Sequence, residues 1–480
     1  MSNDAEPNYF TCTLGQAVHV NKGEPQISNI NDFIDHQAAT CGDKPAVGFA
    51  VLGGDKSAGK DRSECFTFRD VQRGSSHVAQ LLARSIKRTA PTGQTTVALL
   101  CPSTPKFLFV WLGFMRLGHA VLLIAPQCQP AAIAHLCQTC EVVTLFYDES
   151  YAELAQTSGK VAQTEKQYQV DPVKLSLSTT SKDFRAALEN ESDVAYAPSL
   201  DKMAVGYLHH TSGTSSGLPK PIPQSHHAGL GVLPRFKTGS DKATFTTTPL
   251  YHGGVADTFR AWASNAMIWL FPGGGPPITA KNIVSCLDVA DSKHKSAGTP
   301  AVKYFASVPY VLQMMAADAR GLRYLQEMDI LGVGGAALPA DAGDDLVKKG
   351  VHLISRFGSA ECGFLMSSHR HYDQDQAWSY LRSGAGMEKV KFEKQDDGLA
   401  ELVVLQGWPH KVILLYTFSF RSVLTKNRPK QIVRMAHLQP PTSLQHILQY
   451  QTHGSTIHEP IHNSHSSLAR NSTLHHKNLL

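Results

Sequence analysis

A strand, a hydroxyl- and glycine-rich loop and a closing lysine follow one another in Tyr207-Leu208-His209-His210-Thr211-Ser212-Gly213-Thr214-Ser215-Ser216-Gly217-Leu218-Pro219-Lys220. Glycines let backbone N–H groups approach an anion closely, and Ser and Thr hydroxyls add donors around it. The closing lysine supplies a compact positive charge for phosphate oxygens. An ordinary polar hairpin is the alternative, because Gly and Ser are common turn residues. The loop is not a Walker A loop, because its glycine-to-lysine spacing differs. It predicts a phosphate-binding site.

Short apolar runs alternate with helix-forming stretches before this loop. The predicted strands are 97–100, 120–124 and 142–146, and the predicted helices between them are 104–117 and 130–139. Strand, helix and strand at this spacing are typical of parallel α/β units. Two polar stretches, 55–62 and 156–181, are predicted as surface loops.

Composition and charge exclude several classes of protein. Of the 480 residues, 42% are apolar and 18% are charged, which favours a large core over wholesale disorder. No apolar run reaches the ~20 residues of a membrane span, and no secretory leader is recognisable. Nine cysteines in such a chain predict reduced thiols, so we expect a cytoplasmic protein without a membrane span.

The net charge of +5 belongs to the C-terminal part of the chain. After Glu401 there are eight lysines or arginines against one acid, Glu459, so the preceding part is slightly acidic. A nucleic-acid-binding protein would carry a basic face on its folded part, so nucleic acid is not expected as a partner. The segment 430–480 also holds eight of the 23 histidines and little apolar periodicity, which predicts an irregular tail.

Three motifs in a fixed order resemble those of the adenylate-forming (AMP-binding) superfamily, which includes acyl-CoA synthetases, peptide-synthetase adenylation domains and luciferases. The first is the loop above, and the second is Pro249-Leu250-Tyr251-His252-Gly253-Gly254. The third is a pair, Gly334-Gly335-Ala336-Ala337-Leu338-Pro339 and Phe357-Gly358-Ser359-Ala360-Glu361. The resemblance covers about residues 30–412. It implies an α/β fold, namely the large N-terminal synthetase domain of helix-sandwiched sheets, with ATP in the crevice between them.

The resemblance also implies roles for individual residues. Lys220, Glu361 and His252 would form the catalytic set, with His252 near the acyl pocket and Glu361 holding Mg²⁺, a hard ion that prefers carboxylates. The phosphates of ATP would be wrapped by Lys220 and by Thr211, Ser212, Gly213, Thr214, Ser215, Ser216 and Gly217. The adenine and the AMP phosphate would be contacted by Gly335, Ala336, Ala337, Phe357, Gly358, Ser359 and Ala360.

Several positions depart from the family pattern. Ala360 stands where a threonine is usual, so one hydroxyl donor to the AMP phosphate is missing, and Ser359 is its possible substitute. Pro221-Ile222 is similar to the branch that contains fungal carboxylate reductases. The ribose-binding aspartate, the hinge and the lid domain are not recognisable after residue 412. We therefore expect an adenylation domain at 1–412, a missing C-terminal lid and a basic, His-rich tail at 413–480 that is read out of frame.

The implied function is ATP-dependent activation of a carboxylic acid to an acyl-adenylate, with release of pyrophosphate. The acyl group would then pass to coenzyme A or to the phosphopantetheine thiol of a carrier protein. Phe305, Val308 and Tyr310 hint at an aryl or medium aliphatic acid. The alternative is a truncated, catalytically impaired nucleotide-binding remnant, which Ala360 and the missing lid favour.

Two further groups of residues could bind metal. Cys137 and Cys140 have CxxC spacing, but a zinc site needs four ligands, so two thiols at the end of a core helix are the favoured interpretation. Five aspartates are predicted as surface charges and helix caps rather than metal ligands: Asp241, Asp257, Asp341, Asp344 and Asp345.

Overall fold

The computed structural model describes residues 5–52, 63–86, 94–190, 200–211, 217–382, 384, 386–394, 400–405, 407–410, 434–435 and 447–449. Within these residues the strands are β1 (Pro45–Ala50), β2 (Ser63–Thr67), β3 (Thr96–Leu100), β4 (Ala120–Leu123), β5 (Thr144–Tyr147), β6 (Asp171–Lys174), β7 (Val205–His210), β8 (Pro221–Ser225), β9 (Lys242–Thr246), β10 (Ile268–Leu270), β11 (Ala301–Ser307), β12 (Ile330–Val333), β13 (Leu353–Ser359), β14 (Gly363–Ser367), β15 (Tyr380–Arg382), β16 (Val390–Lys394), β17 (Ala400–Val404), β18 (Arg434–Met435) and β19 (Ile447–Gln449).

The α-helices of the described residues are α1 (Leu14–Val20), α2 (Ile30–Cys41), α3 (Phe68–Leu82), α4 (Pro105–Arg116), α5 (Pro130–Thr139), α6 (Ala152–Lys166), α7 (Lys182–Glu189), α8 (Gly254–Ala263), α9 (Ala280–Ala297), α10 (Pro309–Ala317), α11 (Ala319–Glu327) and α12 (Ala340–Lys348). Their starts follow from local chemistry. Thr67 and Asp70 form a capping box at α3. Prolines open α4 and α5, where a missing N–H has no intrahelical partner to lose.

A six-stranded sheet contains the strands predicted before the loop. Its order is β6-β5-β3-β4-β7-β8, and every neighbouring pair is parallel except β7 and β8. The predicted α/β units are confirmed, since β3, β4 and β5 are separated in sequence by α4 and α5. Both helices match their predicted positions to within a residue or so.

A ten-stranded sheet forms the second large layer, in the order β19-β15-β14-β13-β12-β11-β9-β10-β1-β2. Its central strands from β1 through β10, β9, β11 and β12 to β13 are parallel, and both ends are antiparallel. β16, β17 and β18 form a small antiparallel sheet.

The largest apolar cluster joins the two large sheets. It contains Leu99 of β3 and Ile268 of β10, together with Val71 of α3, Trp111 of α4 and Trp262 of α8. All five side chains are fully or almost fully buried. The helices therefore pack between the sheets, and the predicted class, an α/β fold of helix-sandwiched sheets, is confirmed.

The loop predicted at 156–181 is wrong over much of its length. Most of α6, β6 and the strand's pairing with β5 fall inside it. The sequence does not predict α6, because this helix has no stripe of large apolar residues. Its buried residues are small or polar, namely Ala155, Ser158, Gly159 and Ala162. The predicted loop at 55–62 lies outside the described residues.

The predicted tail at 413–480 is described only at β18 and β19, and these five residues are extended rather than irregular. The domain boundary at 412 stays a prediction. Where the helices of the chain are described, none is both long enough and apolar enough to cross a bilayer.

Candidate functional site

The predicted phosphate loop connects two antiparallel strands of the six-stranded sheet. β7 ends at His210, which pairs with Pro221 at the start of β8. The Thr211 N–H donates to the Lys220 carbonyl at 2.9 Å, and the Lys220 N–H donates to Thr211 Oγ1 at 2.9 Å. These two bonds fix both ends of the loop and place the exposed Lys220 beside Thr211.

Five of the predicted loop contacts lie outside the described residues: Ser212, Gly213, Thr214, Ser215 and Ser216. Gly217 is described, is exposed and has a φ of +75°, a conformation that glycine adopts without strain.

His210 ties the start of the loop to the neighbouring strand. The Ala125 N–H donates to His210 Nε2 at 3.1 Å, so the ring proton is on Nδ1, which lies 2.9 Å from the Thr211 carbonyl and donates to it. The neutral imidazole therefore links the segment after β4 to the first loop residue. Burial lowers the pKa of His210, which keeps this tautomer at neutral pH.

The predicted segment Phe357–Glu361, the second half of the third motif, forms the end of β13 and the start of the tight turn to β14. A side chain at Gly358 would place its Cβ 2.3 Å from the Gly363 carbonyl oxygen, so only glycine fits there. Ser359 Oγ accepts a hydrogen bond from the Cys362 N–H at 3.2 Å. Glu361 is half-buried.

A hydrogen bond joins the two segments. Gln224 Nε2, on β8, donates to the Ala360 carbonyl at 2.7 Å, and His410 Nε2 lies 3.3 Å from the same oxygen. The Glu361 carboxylate is close enough to His410 to act on its pKa. Therefore the strand that begins after Lys220 and the turn that contains Glu361 are neighbours, although they are more than 130 residues apart.

A cleft of about 540 Å³ opens between these elements. Five predicted site residues border it: His252, Gly335, Gly358, Ser359 and Ala360. Seven others are described but do not border it: Thr211, Gly217, Lys220, Ala336, Ala337, Phe357 and Glu361. Phe357 is 5% exposed and packs in the core, so its contact with adenine stays a prediction.

Histidines around the cleft are neutral at pH 7. Burial lowers the pKa of His209 and of His410 to about 4. His252 has an exposed surface at the cleft, but desolvation there, and the repulsion that a protonated His210 would add, lower its pKa to about 4 as well. These rings can exchange hydrogen bonds with a ligand, but at neutral pH they add no positive charge.

Three ionised side chains border the cleft, and we call Asp257, Arg260 and Arg356 the charged floor. Arg356 Nη1 lies 3.2 Å from Asp257 Oδ1, and the two side chains are only 14% and 12% exposed. Asp257 Oδ2 also accepts from Thr246 Oγ1 at 3.1 Å. Arg260 is buried, with Nη1 donating to the carbonyls of Tyr9 and Cys12 at 3.1 and 2.6 Å.

The two guanidinium groups of the charged floor share one aromatic neighbour. Both lie 4.9 Å from the centre of the Phe364 ring, a cation–π distance. Burial, followed by the charge of Arg356, lowers the pKa of Arg260 to about 10, so Arg260 is still a cation at pH 7.

Two expectations about this region are wrong. Asp257 borders the cleft as a largely buried partner of Arg356 rather than as a surface charge, since its side chain is only 12% exposed. Of the apolar residues expected to shape the acyl pocket, only Val308 borders the cleft. Phe305 is enclosed in the core behind the ten-stranded sheet, and Tyr310 is 55% exposed.

Sequence reasoning missed Arg356 because nothing local singles it out. The one available signal was its position directly before the motif that begins at Phe357. Cys137 and Cys140, in contrast, are confirmed as buried free thiols at the end of α5. The described residues contain no group of three or more His, Cys, Asp or Glu side chains that could hold a metal ion.

Comparisons with known proteins agree on the fold. The family described as AMP-binding enzyme matches residues 34–398. Over 61% of the chain, the sequence is 26% identical to the non-canonical non-ribosomal peptide synthetase ascB of Acremonium egyptiacum, and over 69% it is 25% identical to the adenylate-forming reductase stbB of Stachybotrys bisbyi. These matches span 26% and 31% of the two relatives, so the chain corresponds to less than a third of their length.

A solved structure shows the same fold at low sequence identity. The anthranilate CoA ligase AuaEII, in complex with anthranoyl-AMP, superposes with a TM-score of 0.60 over 81% of this chain and 71% of that one, at 18% identity.

Proposed function

Because the chain belongs to the AMP-binding enzyme family, we propose that it activates a carboxylic acid with ATP, forming an acyl-adenylate and releasing pyrophosphate. One observation carries the proposal. The Gln224–Ala360 hydrogen bond of 2.7 Å brings the strand after Lys220 against the turn that contains Glu361, at the edge of a common cleft. Glu361 directly follows Ala360, and Lys220 precedes β8, ~13 Å from Gln224 at ~3.3 Å per residue, so a triphosphate that contacts both would run along β8.

The proposed reaction needs no nucleophile from the protein. A carboxylate oxygen of the substrate attacks the α-phosphorus, the bond from that phosphorus to the bridging oxygen breaks, and pyrophosphate leaves with that electron pair. Negative charge spreads over the phosphoryl oxygens in the transition state, so positioned positive charge and hydrogen-bond donors contribute most.

We propose a separate role in binding or positioning for each of the predicted site residues. Lys220 and the backbone after Thr211 would bind the phosphates, while Gly335 and Gly358 would leave room for the nucleoside. Mg²⁺ enters with ATP as part of the substrate. Glu361 offers it a hard oxygen ligand, and Mg²⁺ commonly keeps several waters and one or two carboxylates. Neutral His252 would donate or accept a hydrogen bond near the reacting carboxylate.

The acyl group would leave the adenylate by attack of a thiol. We propose coenzyme A or the phosphopantetheine of a carrier protein as the acceptor. The names of the curated relatives, a peptide synthetase and a reductase, support the carrier-protein route.

A catalytically impaired nucleotide-binding protein is the second candidate. The observation that favours it is Ala360, which borders the cleft and lacks the hydroxyl that the family pattern has at this position. Ser359 borders the cleft next to it, so a hydroxyl is close at hand.

Carboxylate-dependent exchange of labelled pyrophosphate into ATP separates the two candidates. We expect exchange with at least one member of a broad panel of carboxylic acids, and a strong reduction in Lys220→Ala. Binding of ATP without exchange for any acid of the panel would favour the impaired protein.

A further inference from the structure

The charged floor holds more positive than negative charge. Arg260 and Arg356 are cations, and Asp257 is the one acid among the described residues that border the cleft. The surrounding histidines His209, His252 and His410 are neutral at pH 7, because desolvation lowers the pKa of each to about 4.

The protein compensates this excess only in part. Arg260 is held by the backbone carbonyls of Tyr9 and Cys12, which are dipoles rather than charges. Arg356 reaches Asp257 with Nη1 alone, and its buried Nε has no hydrogen-bond partner. A buried charge without a full partner is costly, so an anionic ligand group would be stabilised here.

The charged floor is set apart from the reacting end of the cleft. The ring of His252 lies 6.3 Å from that of His210, beside the start of the phosphate loop. Asp257 and Arg260 lie farther along α8, ~5 Å and ~9 Å from Gly254 at ~1.5 Å per residue. An acid whose carboxylate meets the α-phosphate near the loop could therefore extend along α8 toward Asp257, and Arg356 pairs with Asp257 there.

We propose that the substrate is a dicarboxylic acid, one carboxylate being adenylated while the other pairs with Arg356 at the charged floor. This inference rests on the proposed function. The charge of Arg260 behind Arg356 adds to the attraction, and Asp257 orients the Arg356 side chain.

The kinetic test compares α,ω-dicarboxylic acids of four to eight carbons with their monomethyl esters in pyrophosphate exchange. Each ester keeps one carboxylate and the chain length but lacks the second charge. For the best diacid we expect kcat/KM at least about tenfold above that of its monoester, the size of one charge-assisted hydrogen bond. Monoesters that match or exceed the diacids in the unmodified protein would overturn the proposal.

Two variants of Arg356 test whether the preference for the diacid depends on this side chain. Arg356→Gln should bring the ratio of diacid to monoester close to one, mainly by raising KM for the diacid, whereas Arg356→Lys should retain part of the preference. Arg323→Gln is the matched control, because Arg323 is an exposed arginine on α11. A ratio in Arg356→Gln equal to that of the control would overturn the proposal, and the Arg356→Lys result decides the matter if the glutamine variant fails to fold.

Calorimetry of diacid binding to the unmodified chain without ATP separates this inference from the proposed function. Binding of the diacid but not of its monoester, with no exchange for any acid, would support the charged floor and overturn the adenylation. Exchange with a monocarboxylic acid, without diacid binding, would support the adenylation and overturn the role of the charged floor. If the chain shows neither diacid binding nor pyrophosphate exchange, both the charged-floor proposal and the adenylation proposal are wrong.

Discussion

Lys220 stands at the start of β8, where its backbone is tied to Thr211 and its side chain is exposed. Removal of the ammonium should therefore cost phosphate affinity but little stability. We expect Lys220→Ala to weaken ATP binding roughly tenfold, as for the loss of a charge-assisted hydrogen bond.

Calorimetric titration with MgATP measures this effect, and thermal unfolding checks the fold. Lys281→Ala is the control, because Lys281 is exposed on α9 and is remote from the predicted motifs. Equal ATP affinity in the two variants would show that the loop assignment is wrong.

Ala360 is the second residue that invites substitution. Its carbonyl accepts a hydrogen bond from Gln224 and the residue borders the cleft, so a threonine would add a hydroxyl without changing that backbone bond. Ala360→Thr should raise the rate of pyrophosphate exchange roughly fivefold, the equivalent of about 1 kcal/mol. An unchanged rate, measured beside Ala360→Val of similar shape, would indicate that Ser359 already supplies the donor.

Individual residues were predictable where their role is local. The thiols of Cys137 and Cys140 share one helix end, so their burial follows from the apolar pattern around them. Asp257 and Arg356 are 99 positions apart, and the hydrophobic periodicity of neither segment predicts that they pair. Only the folded structure, in which Asp257 of α8 meets Arg356 of β13, makes the charged floor visible.

At the scale of elements, β1 and β10 pack so closely that one position demands glycine. Gly48 pairs with Trp269, and a Cβ at Gly48 would lie 2.7 Å from the indole ring. Both residues are buried, and β1 and β10 each have a neighbouring strand on either side, so the ring has little room to move. Gly48→Ala should lower the free energy of unfolding by about 1–3 kcal/mol through overpacking.

Urea unfolding measures this loss. Gly275→Ala is the control, because Gly275 is exposed and a Cβ there would meet no atom within 4 Å. A loss of stability in Gly48→Ala no larger than in Gly275→Ala would mean that β1 and β10 are less tightly packed than the structure indicates.

Elements with a strong apolar pattern were predictable, and those with a weak one were not. β3, β4 and β5 are buried throughout and were evident as short continuous apolar runs. The sequence predicts a loop at α6 and β6, because tertiary packing of small residues rather than an apolar stripe holds them in place.

At the scale of the whole molecule, buried histidines make stability depend on pH. Burial lowers the pKa of His209, His226 and His410 to about 4, against about 6.5 in an unfolded chain. Below pH 6.5 the unfolded chain takes up protons that the folded chain accepts only near pH 4. The free energy of unfolding should therefore be highest above pH 6.5 and decrease as the pH falls from 6.5 toward 4.

Urea unfolding between pH 6.5 and 5 tests this dependence while most carboxylates stay ionised. His226 is the most informative site, because its Nδ1 accepts a hydrogen bond from the Ile30 N–H and protonation would remove that acceptor. His226→Asn should reduce the pH slope of stability by up to about 1.4 kcal/mol per pH unit, the equivalent of one proton. An unchanged slope would contradict the assignment.

The arrangement of the two sheets could be anticipated only through the resemblance to the adenylate-forming superfamily. Alternating strands and helices indicate parallel sheets but not which strands meet. The order β9-β10-β1 places a strand from the start of the chain beside strands that follow more than 190 residues later. Such long-range pairing brings His252, Gly335 and Ala360 to one cleft.

The most direct test of the site is a crystal structure with a non-hydrolysable acyl-adenylate analogue, in which a sulfamoyl group replaces the phosphate. We predict that the sulfamoyl group lies between Lys220 and Glu361, with the adenosine beside Gly335 and the acyl chain directed toward Arg356. An analogue bound away from this cleft, or one that fails to bind at saturating concentration, would contradict the assignment.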